Sequence, residues 1–361
     1  MTAPNNHHNM PSLEQMLEEL HKLPDGGMRM LDLALALSNQ GRPDSAKIAE
    51  SAALAVGDPH VTHRWRKMQA SRAPANQFLL LRNHSRTVAF QQAIERVVSA
   101  ADLVLEIGTG SGILAMLAAQ AGAEQVISCE RQHYMAEIAR NIIRTNGFEN
   151  QIRILSKNLD QLELQEDLPR KADVLVADLF TGSLLDAGGM RLIHRARKDL
   201  TADNGTVIPA SATLRGRLVG GQDLERLCRI ETAGGFDLSE FNLFSPPIIQ
   251  LLPERFTTLS YSAYSEIIDC FDFDFNALHG FYPRQKSIEI RVTDDGTILG
   301  LLQWLKLEVS PGNRLESDEK SNLNWSRYLH VFPSPVVARE GELLHLNLLH
   351  NLQSFSAWPS K

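Results

Sequence analysis

The pattern of apolar and polar positions divides the 361-residue chain into three parts. Residues 1–70 carry apolar side chains at helical spacing, such as Leu13, Leu17 and Leu20, and predict a helical N-terminal segment. Residues 71–209 alternate short apolar runs with amphipathic stretches, which predicts a parallel sheet covered by helices. Residues 210–361 contain strand-like runs separated by turn residues, which predicts a β-rich C-terminal domain. The predicted fold class is therefore α/β.

The strongest local pattern lies in residues 103–130, LVLEIGTGSGILAMLAAQAGAEQVISCE. An apolar run is followed by Gly108, Gly110 and Gly112, then by good helix formers, then by a second apolar run that ends at Glu130. Glycines permit a tight turn and close ligand approach, and a helix start offers N–H groups to an anionic group. A carboxylate at the end of the second strand can accept hydrogen bonds from ribose hydroxyls. The pattern predicts a βαβ nucleotide site.

The spacing separates two kinds of nucleotide site. A dinucleotide fingerprint requires a glycine three positions after Gly110, where this chain has Ile113. Glu106 stands two residues before the first glycine, and acid-x-Gly-x-Gly-x-Gly resembles the S-adenosylmethionine (AdoMet) site of class I methyltransferases. The resemblance implies that Glu106 and the turn hold the methionine end and that Glu130 holds the ribose. We favour this interpretation over a dinucleotide site or a purely structural turn.

A second pattern precedes the first strand and resembles one family, the protein arginine methyltransferases. It comprises Leu81, Asn83, Arg86, Thr87 and Phe90. The resemblance implies that Arg86 binds the AdoMet carboxylate, that Met135 lies near the adenine and that Asp160 accepts a hydrogen bond from adenine N6. Core packing is the alternative for Met135, and a solvated turn is the alternative for Asp160.

The acceptor motifs of that family are altered in this chain. The family has a glutamate at the end of the fourth strand, where this chain has Asp178. A second family glutamate aligns with Ala187, or with Asp186 if the loop is one residue shorter. A family Thr-His-Trp loop is matched by Leu323 followed by Asn324 and Trp325. The resemblance implies that Asp178, Asp186, Asn324 and Trp325 form the acceptor site, with barrel packing as the alternative for Trp325.

The apolar pattern of the N-terminal part and the family resemblance of the rest predict a domain organisation. Residues 1–70 form a helical segment, in which residues 41–59 resemble a single tetratricopeptide repeat. Either a docking element or a helical cap on the next domain fits this segment. Residues 71–209 form an AdoMet-binding, Rossmann-like class I methyltransferase domain. Residues 210–361 form a β-barrel for substrate binding and dimerisation, which implies a homodimer.

Composition narrows the partners and the compartment. The net charge of −7 argues against nucleic acid and anionic membranes and is compatible with a protein, peptide or small cationic acceptor. Cys129, Cys228 and Cys270 show no paired spacing, which predicts a reducing cytoplasmic environment and no metal site. We find no signal-peptide pattern and no apolar run of membrane-spanning length.

Three functional hypotheses follow from these patterns. The first is an AdoMet-dependent N-methyltransferase that acts on the guanidino nitrogen of arginine in a protein or peptide. The second uses the same cofactor but methylates another small-molecule or peptide acceptor, because the second acid and the histidine of the family are altered. The third is a non-catalytic AdoMet-binding interaction protein. We rank them in this order.

Overall fold

The computed structural model describes residues 11–74, 77–185, 188–319, 321 and 323–360. Contacts between residues divide the chain into two units. The first takes the N-terminal helices as far as Gln77 together with His133–Met135, and the second takes the remainder from Phe78 onward.

The described N-terminal residues of the first unit form four helices. They are α1 (Leu13–His21), α2 (Gly26–Asn39), α3 (Pro43–Ala55) and α4 (Pro59–Ser71). Helix α1 begins with a capping box between Ser12 and Gln15, and prolines occupy the first positions of α3 and α4. The side chains of Ala46, Ala49 and Ala53 are buried, so α3 packs closely on α2. The helical pattern predicted for this segment is present in its described residues.

A buried carboxylate ties α3 to the end of α4. Glu50 accepts hydrogen bonds from Trp65 Nε1 at 3.0 Å, Gln69 Nε2 at 2.8 Å and Arg72 Nη1 at 3.1 Å. Burial by itself would raise the pKa of Glu50, but the bonds from Arg72, Trp65 and Gln69 outweigh it and lower that pKa below its usual value. The ionised carboxylate of Glu50 therefore stabilises the contact between α3 and the end of α4. Whether the unit docks a partner stays a prediction.

The second unit contains a five-stranded parallel sheet. Its elements are α5 (Gln77–Arg82), α6 (His84–Val97), β1 (Leu103–Ile107), α7 (Ile113–Gln120), β2 (Gln125–Cys129), α8 (His133–Thr145), β3 (Ile152–Leu155), β4 (Ala172–Ala177), α9 (Gly189–Arg195) and β5 (Thr201–Ile208). The strand order is β3-β2-β1-β4-β5. The order reverses between β1 and β4, and ligands of such sheets bind beyond the carboxyl ends of the strands at this switch point. The functional side chains are expected there.

Antiparallel sheets make up the rest of the second unit. The elements are β6 (Ser211–Gly220), α10 (Gln222–Cys228), β7 (Thr232–Ala233), β8 (Phe236–Asp237), β9 (Ile248–Leu251), α11 (Pro253–Phe256), β10 (Ser262–Ala263), β11 (Ile268–Asp274), β12 (Arg284–Arg291), β13 (Gly296–Ser310), β14 (Asn313–Glu316), β15 (Arg327–Ala338), β16 (Leu343–His350) and β17 (Phe355–Pro359). The largest sheet has the order β10-β6-β13-β15-β9, and β12-β16-β17 form a second sheet. The α/β fold class, with a Rossmann-like parallel sheet followed by a β-rich region, is confirmed.

One apolar core runs through the parallel sheet and the antiparallel strands. It includes Val104 and Leu175 of the parallel strands together with Leu305 and Phe273 of the antiparallel strands, all of them buried. The parallel sheet and the antiparallel strands therefore share a packed interior, which fixes the loops between them. None of the helices formed by the described residues combines the length and apolar character needed to cross a bilayer.

Candidate active site

The glycine turn after β1 has a backbone that favours glycine. Gly108, Gly110 and Gly112 have φ angles of 84°, 53° and 82°. At Gly108 a Cβ atom would also lie 2.5 Å from Leu179 Cδ2, so a larger residue would meet both backbone strain and a clash. The turn leads directly into α7, as the sequence pattern predicted.

Glu106 lies near the end of β1, two residues before the turn, and is fully buried. Its side chain is 1% exposed and accepts a 2.6 Å hydrogen bond from Ser128 Oγ. The hydroxyl groups of Ser128 and Thr109 lie 2.5 Å apart and extend the network to the turn. Burial raises the pKa of Glu106 to about 8, although the bond from Ser128 opposes the shift. The protonation state of Glu106 is therefore sensitive to a cation placed beside it.

Glu130 connects the end of β2 to the glycine turn. Its carboxylate accepts hydrogen bonds from the backbone N–H of Gly110 at 3.2 Å and from that of Gln132 at 2.9 Å. The two parts of the predicted cofactor site, turn and second-strand acid, are therefore in direct contact. A carboxylate oxygen accepts more than one hydrogen bond, so Glu130 retains capacity for ribose hydroxyls.

The motif around Arg86 has a local structural basis. The Asn83 side chain accepts a hydrogen bond from the backbone N–H of Arg86 at 3.0 Å and so caps α6. Thr87 Oγ1 donates to Asn83 O at 3.2 Å, and the Phe90 ring lies beneath the Arg86 guanidinium at 5.4 Å. These residues together fix the first turn of α6, which points Arg86 toward the ends of β1 and β4.

Arg86 and Asp178 form a buried ion pair. Asp178 follows β4 directly, and its Oδ2 atom accepts hydrogen bonds from Nε and Nη2 of Arg86. The two side chains are only 8% and 5% exposed. The structure thus joins a residue predicted to bind the cofactor with one predicted to bind the acceptor. The sequence did not indicate this pairing, because 92 residues separate the partners.

The loop after Asp178 is held tightly where the structure describes it. Leu184 is 1% exposed and has a φ of 66°, an uncommon backbone conformation for a non-glycine residue. Gly182 lies so close to the backbone of Ser326 that a Cβ atom would overlap the Ser326 carbonyl oxygen. Strain of this kind occurs at positions that the surrounding structure determines. Asp186 and Ala187 lie outside the described residues, so the predicted role of Asp186 stays a prediction.

Asn324 and Trp325 lie in the loop before β15. Asn324 Nδ2 donates a 2.7 Å hydrogen bond to Leu79 O of α5, and the Trp325 side chain is 5% exposed. The buried Arg327 donates hydrogen bonds to the carbonyl oxygens of Asp318, Ser321 and Trp325, at 2.5, 2.9 and 3.3 Å. This loop therefore meets the helix that precedes Arg86. The acceptor role of Asn324 and Trp325 stays a prediction.

Two predicted adenine-binding residues have other neighbours. The carboxylate of Asp160 accepts two 2.9 Å hydrogen bonds from Arg191, which lower the pKa of Asp160. Met135 lies in the first turn of α8 and groups by its contacts with the N-terminal helices. Neither contact tests adenine binding, so both roles stay predictions.

The residues present fit an AdoMet site. The turn, Glu106 and Glu130 come together at the switch point of the sheet, where hydrogen-bond acceptors suit an ammonium group and ribose hydroxyls. Sequence reasoning missed Thr109 and Ser128. Ser128 is a polar residue within an otherwise apolar strand, and it is fully buried, so its position in the pattern was the available signal.

Comparison with known proteins gives matches of three kinds. The family model described as ribosomal protein L11 methyltransferase (PrmA) matches residues 82–209. An arginine N(omega)-methyltransferase of Streptomyces achromogenes subsp. streptozoticus is 33% identical over 276 residues, which covers 76% of each chain. Protein arginine N-methyltransferase 7 of Oryza sativa subsp. japonica is 30% identical over 316 residues, covering 77% of this chain but 44% of that protein.

Solved structures share the fold at lower identity. A chain of the Trypanosoma brucei PRMT1 enzyme–prozyme heterotetrameric complex with AdoHcy has a TM-score of 0.65 and 19% identity, over 78% of this chain and 96% of that one. Arabidopsis thaliana protein arginine methyltransferase 10 has a TM-score of 0.59 and 19% identity, over 74% and 85%. These matches extend the shared architecture beyond the parallel sheet to the antiparallel region.

Proposed function

The chain belongs to the arginine N-methyltransferase family, and we propose that it transfers the methyl group of AdoMet to a guanidino nitrogen of arginine in a protein or peptide. As a member of that family it is an AdoMet-dependent methyltransferase. The proposal concerns the acceptor and the residues that bind it.

The observation that carries the proposal is the contact between Asp178 and a guanidinium group. This carboxylate, at the switch point of the sheet, binds the guanidinium of Arg86 through two N–H groups. Carboxylate–guanidinium pairs are charge-assisted and geometrically specific. Both bonds from Arg86 end on Oδ2, and we assign the other oxygen, Oδ1, to the guanidinium of the acceptor. An acceptor arginine would then lie beside the cofactor turn.

The cofactor side of the mechanism uses the residues around the glycine turn. Bound AdoMet supplies a methyl group that is already activated by its sulfonium centre. Glu130 would accept hydrogen bonds from the ribose hydroxyls, while Glu106 would face the ammonium group and Arg86 the carboxylate of the methionine end. These contacts hold the methyl carbon in line with the acceptor nitrogen, which is the main task of the protein in this reaction.

The acceptor side handles the charge of the guanidinium. In water this group is protonated and has no free lone pair directed at a methyl carbon. Asp178 attracts the positive charge toward the N–H groups it binds, which leaves the remaining nitrogen more nucleophilic. The nitrogen forms its bond to the methyl carbon as the carbon–sulfur bond breaks, the electron pair stays on sulfur, and the nitrogen releases one proton to Asp178 or water.

The test is a methylation assay with labelled AdoMet. We expect label on arginine residues of arginine-rich proteins and peptides, identified as methylarginine by mass spectrometry. Peptides in which lysine replaces every arginine are the control. Label on an amine or carboxylate instead would refute arginine as the acceptor, and binding of AdoMet without any transfer would indicate a non-catalytic binding protein.

Free arginine is a second candidate acceptor. The name of the Streptomyces relative specifies arginine and not protein arginine, and its match covers 76% of each chain. The departures from the acceptor motifs, at Asn324 and at the position that aligns with Asp186 or Ala187, also favour a changed acceptor. Free arginine and arginine peptides at equal concentration separate the two candidates, because a free-arginine enzyme labels the amino acid in preference.

We further infer that a second copy of the chain covers an exposed apolar patch between β8 and β9. The patch consists of Phe236, Leu238, Phe241, Leu243 and Phe244. Leu243 is 84% exposed and Phe236 is 73% exposed, the ring centroids of Phe241 and Phe244 lie 5.4 Å apart, and large exposed apolar patches mark interfaces. Sedimentation analysis should give a dimer that Leu243→Glu converts to a folded monomer. A monomeric wild-type protein at micromolar concentration would contradict the inference.

A cytoplasmic location also remains a proposal. It rests on Cys129, Cys228 and Cys270, all of which are buried and free, as thiols are in a reducing compartment.

A further inference from the structure

A buried glutamine of the antiparallel region reaches the loop that follows Asp178. We call residues 179–185, which follow Asp178 and are all described, the acceptor loop. Gln303 lies in β13, is 1% exposed, and donates a 3.2 Å hydrogen bond from Nε2 to the carbonyl oxygen of Gly182. The two residues are 121 positions apart in the chain.

The orientation of Gln303 follows from its two neighbours. The Gly182 carbonyl can only accept a hydrogen bond, so the amide group that faces it must be NH₂. The amide oxygen then faces His330 Nε2 at 3.3 Å, and this nitrogen must carry the proton. His330 is 2% exposed, and burial lowers its pKa to about 3, so its ring is neutral at neutral pH. His330 thus donates to Gln303, and Gln303 donates to the loop.

The loop meets a second surface at the same residue. Gly182 touches the backbone of Ser326, which follows Asn324 and Trp325, and Gln250 Nε2 donates to Ser326 Oγ at 2.9 Å. The acceptor loop and the loop that carries Asn324 and Trp325 therefore meet at Gly182. A shift of Gly182 changes the distance of either loop from Asp178.

We propose that Gln303, oriented by His330, is a positioning residue for methyl transfer that sets the acceptor loop relative to Asp178. The proposal rests on the proposed function, since it assigns Gln303 to the acceptor side of that reaction. Gln303 does not touch the glycine turn or Glu130 in any contact that we observe among the described residues. Its loss should therefore affect the acceptor and leave the cofactor unaffected.

The test compares three variants of the full chain. Gln303→Met keeps the volume of the side chain but removes both hydrogen bonds, and His330→Phe removes only the bond that orients Gln303. His350→Phe is the matched control, because His350 is also buried and neutral and its ring contacts Phe271 and Phe273. Each variant is first shown to be folded by its thermal transition.

We expect Gln303→Met to raise KM for the arginine acceptor about tenfold, the scale of a misplaced loop and a lost buried hydrogen bond, with KM for AdoMet changed less than about twofold. His330→Phe should give a smaller change in the same direction, and His350→Phe none. Equal changes in both KM values, or an equal effect of His350→Phe, would overturn the proposal.

Hydrogen exchange of the peptide that spans residues 179–185 tests the same contact without an acceptor. Exchange should be faster in Gln303→Met than in wild type and His350→Phe, because Leu184 N–H bonds to Thr181 O within the loop. Unchanged exchange would overturn the proposal. Failure of the wild type to methylate arginine would instead refute the proposed function, and the exchange result would still decide whether Gln303 fixes the loop.

Discussion

The cofactor side and the acceptor side of the site are built in different ways. On the cofactor side, Glu106, Ser128 and the Gly110–Glu130 contact come from one βαβ unit, with 22 or fewer residues between partners. On the acceptor side, the contacts Arg86–Asp178, Gln303–Gly182 and Asn324–Leu79 join residues 92, 121 and 245 positions apart. One half is therefore determined locally, and the other depends on the packing of elements that lie far apart in the chain.

This difference explains why the two halves differ in their likeness to the family. A cofactor turn must satisfy backbone angles and hydrogen bonds within a short segment, so few sequences fit it. An acceptor loop held by Gln303 and by the Ser326 backbone can change its side chains while the packed contacts keep its position. The departures at Asp178 and Asn324 occur in the half whose contacts join residues far apart in the sequence.

Asp178→Asn should give the largest effect and separate the two halves most sharply. We expect the rate of methyl transfer to fall at least about 100-fold, the scale for removing one charged group that stabilises a transition state. AdoMet affinity should be kept, because Arg86 loses a competing partner and retains its charge for the cofactor carboxylate. Stopped-flow or quenched single-turnover assays give the rate, and calorimetry gives the affinity.

Asp269→Asn is the control for that experiment. Asp269 also pairs with an arginine, Arg215, at 2.5 Å, but neither residue belongs to the predicted site. Its loss should leave the transfer rate unchanged. If Asp178→Asn weakened AdoMet binding as much as it slowed transfer, Asp178 would act through Arg86 and not on the acceptor.

The same division limits what the sequence predicts. β1 ends at Ile107, directly before the predicted glycine turn, and Glu130 contacts that turn as its position at the end of the second apolar run implied. The Arg86–Asp178 pair was not predicted because the sequence assigned Arg86 to the cofactor and Asp178 to the acceptor. Only the fold brings the two side chains together. Gln303 escaped prediction because a polar residue in a strand pattern reads as solvent-facing, whereas here both faces of β13 are covered.

Glu130→Ala should give the next largest effect, confined to the cofactor side. Loss of the hydrogen bonds to ribose should weaken AdoMet binding by about 1.5–3 kcal/mol, the range for bonds to a charged group. At saturating AdoMet the rate of transfer should remain near that of the wild type. Glu124→Ala, which removes an exposed acid before the same strand, is the control. A fall in the saturated rate would show that the division between the two sides fails at Glu130.

The effect that is smallest per pH unit concerns the protonation of Glu106. Its pKa of about 8 in the folded chain is above the ordinary glutamate pKa of 4.5, so between these values the folded chain holds a proton that the unfolded chain has released. The contribution of Glu106 to the free energy of unfolding should therefore be fully present below pH 4.5. It should decrease as the pH rises toward 8, by up to about 1.4 kcal/mol per pH unit. Glu106→Gln should remove this part of the pH dependence, measured by denaturant unfolding.

Cofactor binding should reverse that shift. An ammonium group beside Glu106 favours the ionised carboxylate, so binding of AdoMet at pH 7 should release about one proton. Titration calorimetry in two buffers of different ionisation enthalpy measures this number, and Glu106→Gln should release none. Proton release that persists in Glu106→Gln would assign it to another group. Its absence in the wild type would mean that the buried acid stays neutral and donates its proton in a hydrogen bond, in which case the cofactor side contributes one negative charge fewer than the motif implies.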